Sequence, residues 1–321
     1  MAGRYPEIEP YEHGWLEVGD GNLVYWESCG NPEGKPALVL HGGPGSGCSP
    51  GMRRYFDPAA YRIVLFDQRN CGRSEPRASD HTVSLAANTT QHLIADIELL
   101  REHRSVERWL VFGWSWGSAL ALAYAQQHTG RVSELVLVGV GTGRRAEVDL
   151  FTRGLGKLFP DDWASYAGAV PAVERDGSLS AAYSRLLNDT DPAVRAKAAR
   201  DWCAWEEAIV PTNPRPSERY ADPAFRYGFA RLVTHYWGND HFLPYDGVLL
   251  DQASRLGPVP GVIIQGSLDL TNLVGTPWLL AASWPGSELT LIDDAGHGGN
   301  AALLAAIVAA TDSFAAGRRH A

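Results

Sequence analysis

Cysteine is scarce in this chain. The 321 residues contain four, Cys29, Cys48, Cys71 and Cys203, and no two form a CxxC or zinc-like spacing. That pattern argues against a disulfide framework or a cysteine-built metal centre and predicts free thiols in a reducing compartment. Long apolar runs are also missing. The longest, AALLAAIVAA from Ala301, is too short to span a bilayer and predicts a last core helix instead. The opening MAGRYPEIEPYEHGW has no apolar stretch behind a basic start, so no signal peptide and a cytoplasmic location are expected. Positive charge is in deficit, with a formal net charge of −9, which argues against a nucleic-acid groove. The adjacent pairs Arg144–Arg145 and Arg318–Arg319 read as solvated surface. No cluster of metal-ligating residues is visible, so neither a metal nor another cofactor is expected.

What the chain does have is a succession of short β-branched or aromatic runs. Residues 22–28, 37–40, 62–66, 109–113, 134–138, 261–265 and 288–292 read as strands, and the central ones are almost continuously apolar. Such runs suit strands covered on both faces. Helical patterns lie between them, notably residues 88–103 and 118–128, the latter followed by Gly130 as a stop signal. Strands alternating with helices predict an α/β fold with a mostly parallel sheet. From Gly141 to about Tyr245 the alternation breaks into a helical, proline-rich stretch that includes Pro214 and Pro216. This predicts a core formed by residues 1–140 and 246–321, with a helical cap inserted at 141–245.

The stretch LVFGWSWGSALALAY, from Leu110 to Tyr124, places Ser115 within G-x-S-x-G, with a strand before it and a helix after it. That context marks a nucleophile elbow, in which a sharp turn lifts the serine hydroxyl to the end of the sheet. Only glycine fits at Gly113 and Gly117 in so tight a turn, and the helix start brings N–H groups near developing negative charge. In the chain order of this motif an acid and then a histidine follow the serine. Asp269 comes just after the run GVIIQ, and His297 just after ELTLI, so both stand past strand ends. Asp293 and Asp294 are rival acids, but they sit close to His297 in sequence for reaching around its ring. The roles expected are attack by Ser115, proton transfer by His297 and orientation of the imidazole by Asp269. Oxyanion donors are expected from the backbone of Trp116 and from Gly43 in HGGPGSG, residues 41–47. A phosphate-binding loop is the rival reading of that glycine run, but it lacks the GKS or GKT ending.

With these residues identified, the chain resembles the proline iminopeptidase family of α/β-hydrolases. The likeness rests on HGGPG, on LFDQRNCGRS from Leu65, on VFGWSWGS, on the AGH ending at His297, and on DWCAWE at 201–206. It implies the α/β-hydrolase fold and removal of an N-terminal residue, usually proline, whose free amine is read by cap carboxylates. On that resemblance Glu206 is the amine reader; its plain alternative is a surface helix glutamate. Four positions depart from the family pattern. Asn70 replaces a glycine in D-Q-R-G, and asparagine is the side chain that best tolerates positive φ. Trp114 replaces another glycine, either as packing or to reshape the acyl pocket. Gly141 stands where a phenylalanine would pack on the proline ring, and Val233 where a second amine-reading carboxylate would be. Trp205 and Tyr236, like Trp202 and Trp237, read either as substrate walls or as packing.

The leading expectation is therefore a serine amidohydrolase or aminopeptidase acting on a peptide or small molecule with a free α-amine. The departures favour a small residue such as alanyl or glycyl on an apolar amine. In this the chain also resembles the family branch that unmasks aminoacyl-protected amines in macrolactam polyketide biosynthesis, where a carrier protein is a conceivable partner that no motif marks. The alternatives are a carboxylesterase or C–C hydrolase, and a catalytically silent hydrolase-fold receptor.

Overall fold

The computed structural model describes residues 4–212 and 217–317. Pro214, Pro216 and the Arg318–Arg319 pair lie outside them. Eight strands, β1 (Glu12–Glu17), β2 (Leu23–Gly30), β3 (Lys35–Leu40), β4 (Tyr61–Phe66), β5 (Trp109–Trp114), β6 (Val132–Val138), β7 (Gly261–Gly266) and β8 (Ser287–Ile292), form one sheet. Their order is β1-β2-β4-β3-β5-β6-β7-β8. The first two pairings, β1 with β2 and β2 with β4, are antiparallel. All the others are parallel. This is the α/β-hydrolase arrangement, with helices α1 (Pro50–Arg53), α2 (Thr90–His103) and α3 (Trp116–Gln127) in the first half.

Successive residues of a strand point to opposite faces, and here both faces are covered. Leu38, Leu40, Val64, Phe66 and Val111 pack with residues of α2 and α3 on one side. Ala37, Val39, Ile63, Leu65, Leu110 and Phe112 pack on the other, against Ile307 and Phe314 of the last helix. That double burial is why the strand sequences are apolar without alternation.

Between β6 and β7 the described residues are helical and hold no strand: α4 (Arg145–Thr152), α5 (Pro160–Gly168), α6 (Leu179–Leu187), α7 (Pro192–Ala208), α8 (Pro223–Trp237) and α9 (Val248–Asp251). Phe151, Tyr166, Tyr183, Trp202, Trp205 and Val233 share a separate cluster among these helices. Helices α10 (Gly275–Ser283) and α11 (Ala301–Ala315) complete the chain.

One strand lies outside the sequence expectations, and one expectation needs correcting. β1 has no counterpart among the expected strands, because EHGWLE is an exposed edge strand that pairs through its backbone and carries no apolar alternation. Gly130 does not cap α3. The helix ends at Gln127 with His128 at its C-cap, and Gly130 sits inside the following 3-10 turn. Asn70 does adopt the left-handed conformation expected of it, with φ 65°. Its Nδ2 donates to the Pro76 carbonyl at 2.8 Å.

The elbow depends on close backbone contact. A Cβ on Gly113 would overlap the Gly117 carbonyl, and a Cβ on Gly117 would overlap the carbonyl of Leu40 on the neighbouring strand. Ser115 between them takes φ 57° and ψ −123°, a conformation sustained only because its surroundings fix it. Gly117→Ala is therefore expected to cost about 2–4 kcal/mol through overpacking against rigid backbone. Gly130 is the control, because a methyl added there would meet no atom within 4 Å. Thermal unfolding should show a clear loss for Gly117→Ala and almost none for Gly130→Ala; equal Tm values would mean that the elbow tolerates a side chain.

Candidate active site

Three strand ends converge on one point. Ser115 follows β5, Asp269 follows β7 and His297 follows β8. His297 Nε2 lies 3.1 Å from Ser115 Oγ, and His297 Nδ1 lies 2.8 Å from Asp269 Oδ2. The other carboxylate oxygen of Asp269 accepts from the Thr271 and Asn272 N–H groups and from the Thr271 hydroxyl, at 2.8–3.0 Å. The carboxylate is thereby held in one orientation, and so is the ring it faces. Burial alone would raise the Asp269 pKa, but the His297 charge and these hydrogen bonds hold it below its ordinary value. Burial acts to lower His297, yet Asp269 and the more distant Glu206 leave it raised. An imidazole so placed can take a proton from a hydroxyl and keep it through a transition state. Asp293 and Asp294 are exposed and make no contact with the His297 ring.

The glycine-rich loop is clipped to the elbow. Gln68 donates its N–H to His41 Nε2 at 3.0 Å and its side-chain amide to the His41 carbonyl at 3.0 Å. The Trp116 indole N–H in turn donates to Gln68 Oε1 at 2.9 Å. Gly43 and Trp116 both border the space beside Ser115. Among the described residues neither backbone N–H donates to a backbone acceptor. Two hydrogen-bond donors therefore remain free there.

Two cavities meet at Ser115. The smaller, of about 110 Å³, is walled by Val148, Phe151 and Trp237 on the apolar side and by Asn272, Thr271 and His241 on the polar side. The larger, of about 580 Å³, is bordered by Trp114, Tyr55, Tyr220, Arg219 and Phe225. Gly43, Ser115, Glu206 and His297 border both. Glu206 is the only carboxylate at that junction among the described residues, and it accepts from the Trp202 indole at 2.6 Å and the Tyr220 hydroxyl at 3.0 Å.

Residues 35–300 match the model of the alpha/beta hydrolase fold family. A probable proline iminopeptidase of Streptomyces coelicolor is 59% identical over 316 residues, covering 98% of each chain. A proline iminopeptidase of Xylella fastidiosa is 45% identical, covering 98% of this chain and all of its own. The chain belongs to the proline iminopeptidase family of α/β-hydrolases. Solved structures with lower identity share the fold. A proline iminopeptidase-related protein from Thermus thermophilus superposes with a TM-score of 0.62 at 23% identity, covering 95% of this chain and 97% of its own. An esterase from Rhodococcus does so with 0.58 at 18%, covering 97% and 99%. A hydrolase of this family acting on peptide bonds is what the full-length relatives indicate.

Against the family pattern, the structure separates the anticipated substrate residues into two groups. Ser115, Trp116, Gly43, Glu206, Gly141 and Trp114 border the cavities. Val233, Trp205 and Tyr236 do not. Val233 and Trp205 are buried in the cluster among the helices, with the Trp205 indole bonded to the Phe151 carbonyl. Tyr236 is buried against Trp116, with ring centroids 4.8 Å apart, and its hydroxyl bonds Asn88. Local pattern reveals a helix but not the direction of each side chain, which depends on helix packing. Phe151, Asn272 and Arg219 are additions that the structure alone supplies. Asn272 is within reach of inspection, three residues after Asp269 in the same turn; Phe151 and Arg219 carry no local signal.

Burial pushes the Glu206 carboxyl up to about 7, against the opposing effect of the hydrogen bonds from Trp202 and Tyr220 and of His297. An acid raised above its ordinary 4.5 costs folding stability once it must ionise. The cost is absent below pH 4.5, where folded and unfolded chains both hold the proton, grows from there to pH 7, and is complete above it. Glu206→Gln is thus expected to raise Tm at pH 8 while changing it little at about pH 4.5. A variant equally destabilised at both values would show that the carboxylate carries no such penalty.

Proposed function

We propose that the protein is a serine aminopeptidase that hydrolyses the amide after an N-terminal residue with a free amine, proline among them. The observation that carries the reading is the position of Glu206, a desolvated carboxylate at the junction of the two cavities beside Ser115 and His297. A primary or secondary ammonium bound there would offset the cost of keeping that carboxylate ionised. The small cavity then takes the N-terminal side chain. Gly141 removes one aromatic wall, but Phe151 and Trp237 supply others against which a pyrrolidine ring can pack. We further propose that residues 141–245 act as a cap that excludes water over these cavities.

In this reading Ser115 Oγ attacks the scissile carbonyl and passes its proton to His297 Nε2. Asp269 stabilises the resulting imidazolium, and the Gly43 and Trp116 N–H groups receive the oxyanion. The C–N bond breaks as His297 returns the proton to the departing amine. Water, deprotonated by the same imidazole, then attacks the acyl ester, releasing the amino acid and restoring Ser115. The four free cysteines suit a reducing, cytoplasmic setting.

A second reading keeps the chemistry but changes the substrate. The aromatic border of the larger cavity, Trp114, Tyr55 and Phe225, suits an apolar leaving amine, as would occur in polyketide unmasking, with alanyl or glycyl on the acyl side. Comparing kcat/KM for prolyl, alanyl and glycyl arylamides, with a long-chain alkyl amide beside them, decides between the two. Peptidase function predicts a preference of tenfold or more for proline and no benefit from the alkyl chain; the reverse pattern supports the second reading.

Ser115→Ala should lower turnover by at least about a thousandfold, and a fluorophosphonate should label the wild type at Ser115. Glu206→Gln should reduce kcat/KM by about 10- to 150-fold on free-amine substrates, as expected for a charge-assisted contact. Its effect should nearly vanish on simple esters without an amine. Equal losses on both substrates would assign Glu206 a structural role and favour a carboxylesterase.

A further inference from the structure

A cation stands on the leaving-group side of this site with no carboxylate to neutralise it. Arg219 borders the larger cavity together with Ser115, Gly42, Gly43 and Ser46. Its guanidinium lies 4.1 Å from the centroid of the Phe225 ring, which fixes its plane. One Nη2–H donates to the Ser46 carbonyl, next to the glycine-rich loop that borders Ser115. The side chain is solvent-exposed at the cavity rim, and no Asp or Glu lies within ion-pair distance of it among the described residues. Partial desolvation by the cavity wall lowers its pKa, against the smaller opposing effects of Tyr220, Cys71 and Asp67.

The nearby carboxylates are otherwise engaged. Asp67 accepts from the Cys48 N–H and from the Arg73 guanidinium. Glu207, on the same cavity wall, accepts from the Ser217 N–H at 2.8 Å. In a chain of net charge −9, an arginine at the cavity with spare donors has the properties of a receptor for an anionic group.

We propose that Arg219 reads the free α-carboxylate of the leaving group, so that the preferred substrates are di- and tripeptides with an unblocked C-terminus. The inference rests on the aminopeptidase reading above, since Glu206 and Arg219 would then engage the two ends of one short zwitterionic peptide across the scissile bond. Guanidinium is suited to this because its planar fork can donate two parallel hydrogen bonds to a carboxylate. An apolar amine leaving group would leave this cation without a partner, and the peptide is favoured on that ground.

The test compares kcat/KM for Pro-Gly with its free carboxylate against Pro-Gly-amide in the wild type, Arg219→Met and Arg219→Lys. The wild type should prefer the carboxylate by about tenfold or more. The preference should fall to near unity in Arg219→Met and be intermediate in Arg219→Lys, which keeps the charge but loses the fork. If Arg219 only straps its segment to the Ser46 loop, both substrates lose rate together and the ratio is unchanged, which overturns the proposal. A wild type that cleaves both peptides equally also overturns it, while leaving the aminopeptidase reading in place. A wild type that cleaves neither peptide nor prolyl arylamide removes both.

Discussion

The site depends first on a steric constraint: the start of α3 lies so close to the ends of β5 and β3 that neither Gly113 nor Gly117 has room for a β-carbon. That contact fixes the direction in which the chain leaves β5 and forces Ser115 into its positive φ. The hydroxyl is consequently presented beyond the sheet, where the segments after β7 and β8 deliver Asp269 and His297. The packing of apolar strand residues on both faces of the sheet makes the framework rigid enough to sustain the strain. A looser turn would be more stable locally but would retract the serine from the imidazole.

Around this point the polar groups form a connected set. His41, Gln68 and Trp116 join the glycine-rich loop, the segment after β4 and the elbow through three hydrogen bonds. Gly43 and Trp116 both border the cavity, and among the described residues neither backbone N–H has a backbone acceptor. In the proposed reading Glu206 would supply the countercharge for a substrate amine, at the cost of being half-buried without one. Burial raises its pKa against the opposing field of His297, while His297, against its own burial, is raised mainly by Asp269 and to a smaller extent by Glu206.

The fold is legible in the sequence wherever burial on both faces imposes a continuous apolar run, as at residues 37–40 and 109–113. It is not legible at β1, an exposed edge strand that carries no apolar alternation. The convergence of Ser115, Asp269 and His297 follows from the elbow motif and from the position of two residues just past strand ends. The walls of the cavities do not. Val233, Trp205 and Tyr236 occupy the anticipated helices but face inward into other helices, a matter of rotation about an axis that no local pattern reveals. Trp237, read as either wall or packing, does line the smaller cavity, whereas Phe151 and Arg219 reach the cavities only through how their segments fold over the core. Asn70 lies between these cases: the turn it occupies demands positive φ, and its side chain is one of the few that accepts it.

The central claim is that Glu206, as a carboxylate, and His297, as a neutral imidazole, act together on the same substrate. The pH dependence of kcat/KM for a prolyl arylamide, measured in the wild type and in Glu206→Gln, tests it most directly. Because the two groups must both lose a proton, with Glu206 pushed up to about 7 and His297 raised, the wild-type acid limb should steepen toward a slope of two. In Glu206→Gln it should fall to a slope of one. An acid limb of the same slope in both proteins would contradict the account, because the ionisation of Glu206 would then have no part in substrate capture.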